Sequence, residues 1–130
     1  GIDDIRDLRS KAMLYPIGKR KVFIIDEAHR IMETAFDALL KLLEEPPPYL
    51  VIILCSTQRE RIPATIQSRC QLYAFKPLKQ RDIKAKLESI AQDCKIGITP
   101  KHLSFIAQCS QGNLRTAENI LEQSMILERS

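Results

Sequence analysis

Only four glycines occur in the sequence, at positions 1, 18, 97 and 112. No pair of them has the spacing of a phosphate-cradling G-x-x-x-x-G-K-S/T loop, and the lysine after Gly18 is followed by Arg20 rather than a hydroxyl residue. Such a loop is therefore absent from this stretch of chain. Long apolar runs are missing too. None approaches the roughly 20 residues that span a bilayer, so no membrane partner is expected. The opening residues Ile2, Asp3, Asp4, Ile5 and Arg6 mix acids with apolar side chains, which is foreign to a secretion signal. The first residue is not Met, and a fragment or a processed chain is expected. The four cysteines, Cys55, Cys70, Cys94 and Cys109, form no C-x-x-C pair, which argues against a zinc knuckle within this segment. Reduced, partly buried thiols in a cytoplasmic protein are the expectation.

What is present is a soluble, globular composition, 45% apolar and 28% charged over 130 residues. That length suffices for one compact domain, or a small domain plus part of another. The net charge of +4 fits a nucleic-acid partner, but it fits an ordinary soluble protein better.

The apolar pattern changes period along the chain. Ile2, Ile5, Leu8, Ala12 and Tyr15 recur at helical spacing over 2–15, and Pro16 and Gly18 stop that helix. Lys21 to Ile25 is a continuous run ending in acids, as expected of a strand buried on both faces. Ile31, Phe36, Leu39, Leu40 and Leu43 mark a helix over 31–45, closed by Pro46, Pro47 and Pro48. Leu50 to Leu54 reads as a second buried strand, Pro63 opens a short helix over 63–68, and Leu72 to Phe75 reads as a third short strand. Strands alternating with helices imply a parallel α/β sheet, whose sites lie at the carboxyl ends of its strands. After Pro77 only helical spacing remains: Ile83, Leu87, Ile90, Ala91 and Cys94; then Leu103, Phe105, Ile106 and Ala107 after a Thr99-Pro100 start; then Leu114, Ala117, Ile120 and Leu121. The fold expected is α/β over 1–76 followed by a three-helix bundle over 77–130.

The strongest local signal is Val22-Phe23-Ile24-Ile25-Asp26-Glu27-Ala28-His29. Acids directly after a buried strand are costly unless something uses them. A hard cation would explain the first, since Mg²⁺ is held by few carboxylates together with phosphate oxygens. The second could polarise a water for attack on a phosphoryl group. Acids also end a strand and start a helix, favoured by its dipole, so the pair alone leaves both readings open.

Further motifs narrow the choice. The acidic stretch resembles the Walker B motif of AAA+ ATPases. The run from Ala38 to Pro47, with Leu39, Leu40, Leu42, Leu43, Glu44 and Glu45, is similar to the helix that follows it in the gamma/tau subunits of bacterial DNA polymerase III. Ile66-Gln67-Ser68-Arg69-Cys70 resembles the Ser-Arg-Cys motif of clamp-loader subunits, and Gly112-Asn113-Leu114-Arg115-Thr116-Ala117 their sensor 2 motif. The resemblance covers essentially the whole chain.

The resemblance implies a role for each residue. Asp26 would hold Mg²⁺, Glu27 would activate the attacking water, and Thr57 would be sensor 1, near the γ-phosphate. Arg69 would be an arginine finger acting in trans on a neighbouring subunit's ATP. Arg115 would reach from the helical lid to the γ-phosphate of its own subunit. Each has a plainer alternative: a turn-forming Thr57, a solvated Arg69, an exposed first-turn Arg115. His29 is read as a structural or relay residue, and Lys19, Arg20 and Lys21 as a solvated turn rather than a contact to DNA phosphates. The family's phosphate loop and its zinc-binding cysteines would both lie before Gly1. ATP and Mg²⁺ are thus the cofactors of a longer parent, with zinc expected only upstream. The implied function is a clamp-loader ATPase subunit, with the other subunits of the ring, the sliding clamp and primed DNA as partners, and with this segment inactive alone. The alternatives are a delta-prime type or archaeal/eukaryotic small subunit, against the first of which the Asp26-Glu27 pair argues, or a catalytically silent ring-assembly module. In the family order a strand from before Gly1 lies beside the final strand. Residues 71–75 are therefore expected to be detached, frayed or paired with another molecule, with 21–26 and 51–56 paired as neighbours.

Overall fold

The computed structural model describes residues 1–128. The chain divides between Tyr73 and Ala74, three residues before the boundary placed at Pro77 by the change of period. In the first unit, α1 (Ile2–Ala12) leads to β1 (Lys21–Ile25), then α2 (Glu33–Glu44), β2 (Leu50–Leu54) and the short α3 (Ala64–Gln67). The two strands pair in parallel, Lys21 opposite Leu50 through Ile25 opposite Leu54. The register sorts the side chains, because alternate residues of a strand point to opposite faces. Ile25, Ile52 and Leu54 pack against a core of Ile5 from α1, Ala35, Phe36 and Leu39 from α2, and Ile62 and Ile66 around α3. Val22, Ile24 and Ile53 lie on the other face and are 51%, 67% and 43% exposed. The expectation of a strand buried on both faces is thus corrected. Within this chain the helices of the unit cover a single face of the strands.

Both strands span the residues expected, whereas the helix ends differ. α1 stops at Ala12, short of Tyr15, because tertiary donors take its last carbonyls. Lys21 Nζ donates to the carbonyls of Lys11 and Leu14, each at 2.6 Å, and Tyr49 Oη donates to that of Ala12 at 2.9 Å. Lys21 thereby closes the end of a helix, and this binds it to the backbone rather than leaving it free for phosphate. α2 begins at Glu33 rather than 31, since Ala28–Arg30 forms a single 3₁₀ turn before it. Residues 71–79 form no helix or strand and are exposed. The third strand expected at Leu72–Phe75 is therefore unpaired, and it does not lie alongside β2.

The second unit contains α4 (Gln80–Asp93), α5 (Pro100–Cys109) and α6 (Leu114–Glu128). Ile83 and Leu87, Leu103, Ile106 and Ala107, and Ala117 and Leu121 form its core, one group from each helix. Phe105 and Cys94, placed on apolar faces by spacing, are exposed instead. Thr99 Oγ1 accepts from the His102 amide at 3.3 Å and caps α5, with Pro100 in its first turn. Gly112 has φ +82°, and an added Cβ there would come within 2.6 Å of Pro77 Cβ. Its carbonyl accepts from the Leu78 amide at 3.0 Å. Asn113 then caps α6, its Oδ1 accepting from the Thr116 amide at 3.1 Å. The partly buried thiols expected are also corrected: Cys70, Cys94 and Cys109 are exposed, and only Cys55 is half-buried.

Candidate functional site

The parallel ladder runs beyond its two strands. The Cys55 amide donates to the Ile25 carbonyl and the Ala28 amide donates to the Cys55 carbonyl, both at 2.9 Å. These bonds clamp residues 26–28 against 55–56 at the carboxyl ends of β1 and β2, where a parallel sheet presents its chemistry. Asp26 is exposed there, and its Oδ1 accepts from the Glu27 amide at 2.9 Å. No bond engages its second oxygen among the described residues. That leaves a free carboxylate oxygen of the type Mg²⁺ takes when phosphate and water complete its shell, so the residue fits the ion.

Glu27 turns the chain at φ +52°, a left-handed conformation uncommon outside glycine. The turn starts the Ala28–Arg30 helix and directs the Glu27 carboxylate to two cationic or titratable neighbours. Oε2 lies 3.4 Å from His29 Nε2 and 3.8 Å from Arg30 Nε. The imidazole is buried, and its Nδ1 is 2.8 Å from Ser56 Oγ. The same Oγ accepts from the Gln58 amide at 3.0 Å. An open cleft of about 380 Å³ lies beside the pair, lined by Asp4, Asp26, Glu27, Arg30 and Ile31 among others.

The other predicted residues divide. Thr57 follows Ser56 immediately and is exposed at the same end of the sheet. Arg69 is turned away. Its Nη2 is 3.1 Å from Glu44 Oε1, and its Nη1 donates to the Thr65 carbonyl at 3.1 Å. Glu44 is the last residue of α2, whose first turn borders the cleft. Twelve helical residues span about 18 Å, so Arg69 is held at the far end of that helix from the acidic pair. Although Cys70 as a whole is exposed, partial desolvation pushes its thiol above the ordinary range, so the residue after Arg69 is a neutral thiol. Arg115, in the second unit, is exposed in the first turn of α6 and has no ion-pair partner among the described residues.

The contacts of three residues escaped the sequence reading, although Glu44 and Asn113 stand within its motifs. Ser56 and Glu44 have no local signature, since their partners lie 27 and 25 residues away. Asn113 could have been found, because Asn directly before an apolar-periodic segment is a favoured helix cap.

A family model described as "DNA polymerase III, delta subunit" matches residues 1–79. The chain belongs to this family. Across both units it is similar to subunits of the polymerase III holoenzyme, with 43% identity over 95% of its length to the gamma/tau subunit of Mycoplasma genitalium. Identity is 39% over 96% of the chain to the tau subunit of Bacillus subtilis and 36% over 95% to that of Escherichia coli. It spans about a fifth of the length of these relatives, 21%, 22% and 19% respectively. Among solved structures, a RuvB mutant of Thermotoga maritima superposes with a TM-score of 0.74 at 18% identity, over 89% of this chain and 39% of that one. A gamma subunit-related protein of the same organism gives 0.59 at 28% identity, over 87% and 39%. The fold is therefore AAA+, as the resemblance implied, with part of its parallel sheet followed by a helical bundle, as the sequence pattern implied. Among the described residues no helix is long and apolar enough to cross a membrane.

Proposed function

We propose that this chain is the sheet-end and lid portion of a clamp-loader ATPase subunit, in a parent protein that couples ATP hydrolysis to placing a sliding clamp on primed DNA. The observation that carries the reading is the ladder extension, which sets Asp26 and Glu27 beside Ser56 and Thr57 at one end of the sheet. Bound Mg²⁺ supplies charge neutralisation at phosphate oxygens. Asp26, with one carboxylate oxygen unengaged among the described residues, would hold the ion, and Glu27 would take a proton from water. Thr57 offers a hydroxyl beside them.

Arg69 is unsuited to its own subunit's site, because α2 separates the two by its whole length. An arginine at that end is instead positioned to meet a neighbour in a ring, which supports the finger assignment. Arg115, free of ion pairs among the described residues and at the start of a helix, is left available to phosphate. The parent supplies the phosphate loop, so this segment alone has half a nucleotide site.

The decisive experiment substitutes Glu27→Gln in the whole protein. Expected are retained ATP binding and ring assembly, with hydrolysis and clamp loading lost. Hydrolysis at the wild-type rate would reject the assignment and favour a subunit that assembles the ring without chemistry of its own.

A further inference from the structure

We propose that His29 is a positioning residue for Glu27, held as its Nε2–H tautomer by Ser56, so that the loop bearing Thr57 sets the orientation of the carboxylate. The inference rests on the reading of Glu27 as the group that activates water.

The imidazole is 5% exposed and both of its nitrogens face a partner. An ionised carboxylate only accepts, which favours a proton on the nitrogen that faces Glu27. A neutral ring then has a lone pair on Nδ1, and Ser56 must donate its hydroxyl proton to it. The remaining capacity of that hydroxyl is also filled, since Oγ accepts from the Gln58 amide at 3.0 Å. The Gln58 N–H, the Ser56 hydroxyl and imidazole Nδ1 thus form one polarised hydrogen-bonded chain that ends at the ring, whose Nε2 faces Glu27 Oε2 across an electrostatic contact. Chains of this kind reinforce each other in a low-dielectric surround.

The last contact, at 3.4 Å, is longer than a well-formed hydrogen bond. It leaves the carboxylate attracted but able to swing, as suits a group that must meet a water. Arg30 also faces Oε2, at 3.8 Å, but its side chain is 78% exposed, so its pull is screened. Control of Glu27 therefore falls to the buried ring. Ser56 and Thr57 are consecutive, so any contact that draws Thr57 toward a phosphate moves Ser56, and through it the imidazole.

The test uses the whole ATPase with His29→Leu, His29→Gln and Ser56→Ala. His29→Leu should lower kcat about 10- to 100-fold, as loss of an outer-shell partner does. KM for ATP should stay within about twofold, because an orienting contact acts on the transition state rather than on binding. His29→Gln, which restores a donor near Nε2, should recover much of that loss. Ser56 is exposed, so Ser56→Ala should fold and lower kcat in the same sense, even should the buried leucine unfold the domain. Nitrogen-15 spectra of histidine-labelled protein, with the His29 signal assigned by its loss in His29→Gln, should show the Nε2–H tautomer and a shift toward Nδ1–H in Ser56→Ala. A wild type that hydrolyses ATP while Ser56→Ala keeps full kcat, or an Nδ1–H ring in the wild type, would overturn the positioning role alone. A wild type that binds ATP without hydrolysing it would overturn the reading of Glu27 instead.

Discussion

Arg69 pairs with Glu44 at 3.1 Å, an arginine two residues past α3 closing on the last residue of α2. Both side chains are more than a third exposed, so the pair adds less than about 1 kcal/mol to stability. Its effect is to hold a cation at one end of α2.

From that arrangement, Arg69→Ala should leave ATP binding by its own subunit intact while lowering hydrolysis in the assembled complex about 10³-fold. Mixing the variant with Glu27→Gln subunits and counting turnovers tests the assignment, because each lesion would fall on a different copy's site. Loss of nucleotide affinity in the variant's own subunit would make Arg69 a ligand in cis and remove the finger assignment.

The 130-residue chain by itself should neither bind ATP tightly nor hydrolyse it, since none of its four glycines builds a loop to hold the β- and γ-phosphates. Titration calorimetry with ATP and Mg²⁺ checks this. A dissociation constant near micromolar would show a nucleotide site that these residues do not explain.

Gly112→Ala should destabilise the second unit by more than about 1 kcal/mol, from the left-handed backbone alone. The added methyl also meets Pro77 Cβ at 2.6 Å, which forces the start of α4 away from the cap of α6. Chemical denaturation followed by helix content provides the measure, and an unchanged midpoint would show that the 77–79 segment yields at no cost.

Leu39 and Leu87 are both fully buried, one in each core. Either Leu→Ala change should cost about 2–5 kcal/mol. Hydrogen exchange should then locate the damage, with Leu39→Ala loosening α1, α2 and the strands, and Leu87→Ala loosening α4, α5 and α6. Equal deprotection of all helices by one variant would contradict the separation of the cores.

Much of this was legible in the residues themselves. The runs at 21–25 and 50–54 marked both strands, because short apolar runs rich in Val and Ile between turn signals have few other solutions. The helical bundle was legible from spacing at Ile83, Leu87, Leu103, Ile106, Ala117 and Leu121, all of which are core. What stayed hidden depends on long-range partners. Lys21 and Tyr49 end α1 from 7 to 37 residues away, and no window around Tyr15 contains that information. The exposed face of Val22, Ile24 and Ile53 was hidden for the same reason, since a run of apolar residues states a preference for burial and not what covers it. Ser56 was overlooked because its role depends on an imidazole delivered by a different strand end.

Glu27 sits at φ +52°, in a conformation that costs a side chain like its own about 1 kcal/mol and that asparagine tolerates far better. On the role proposed for Glu27, the fold and the chemistry want different amino acids at this position. Glu27→Asn should melt at a higher temperature than the wild type while failing to turn over ATP. A search for hardier versions of the protein would be drawn toward inert ones at this residue, so thermostability screens need an activity readout alongside them.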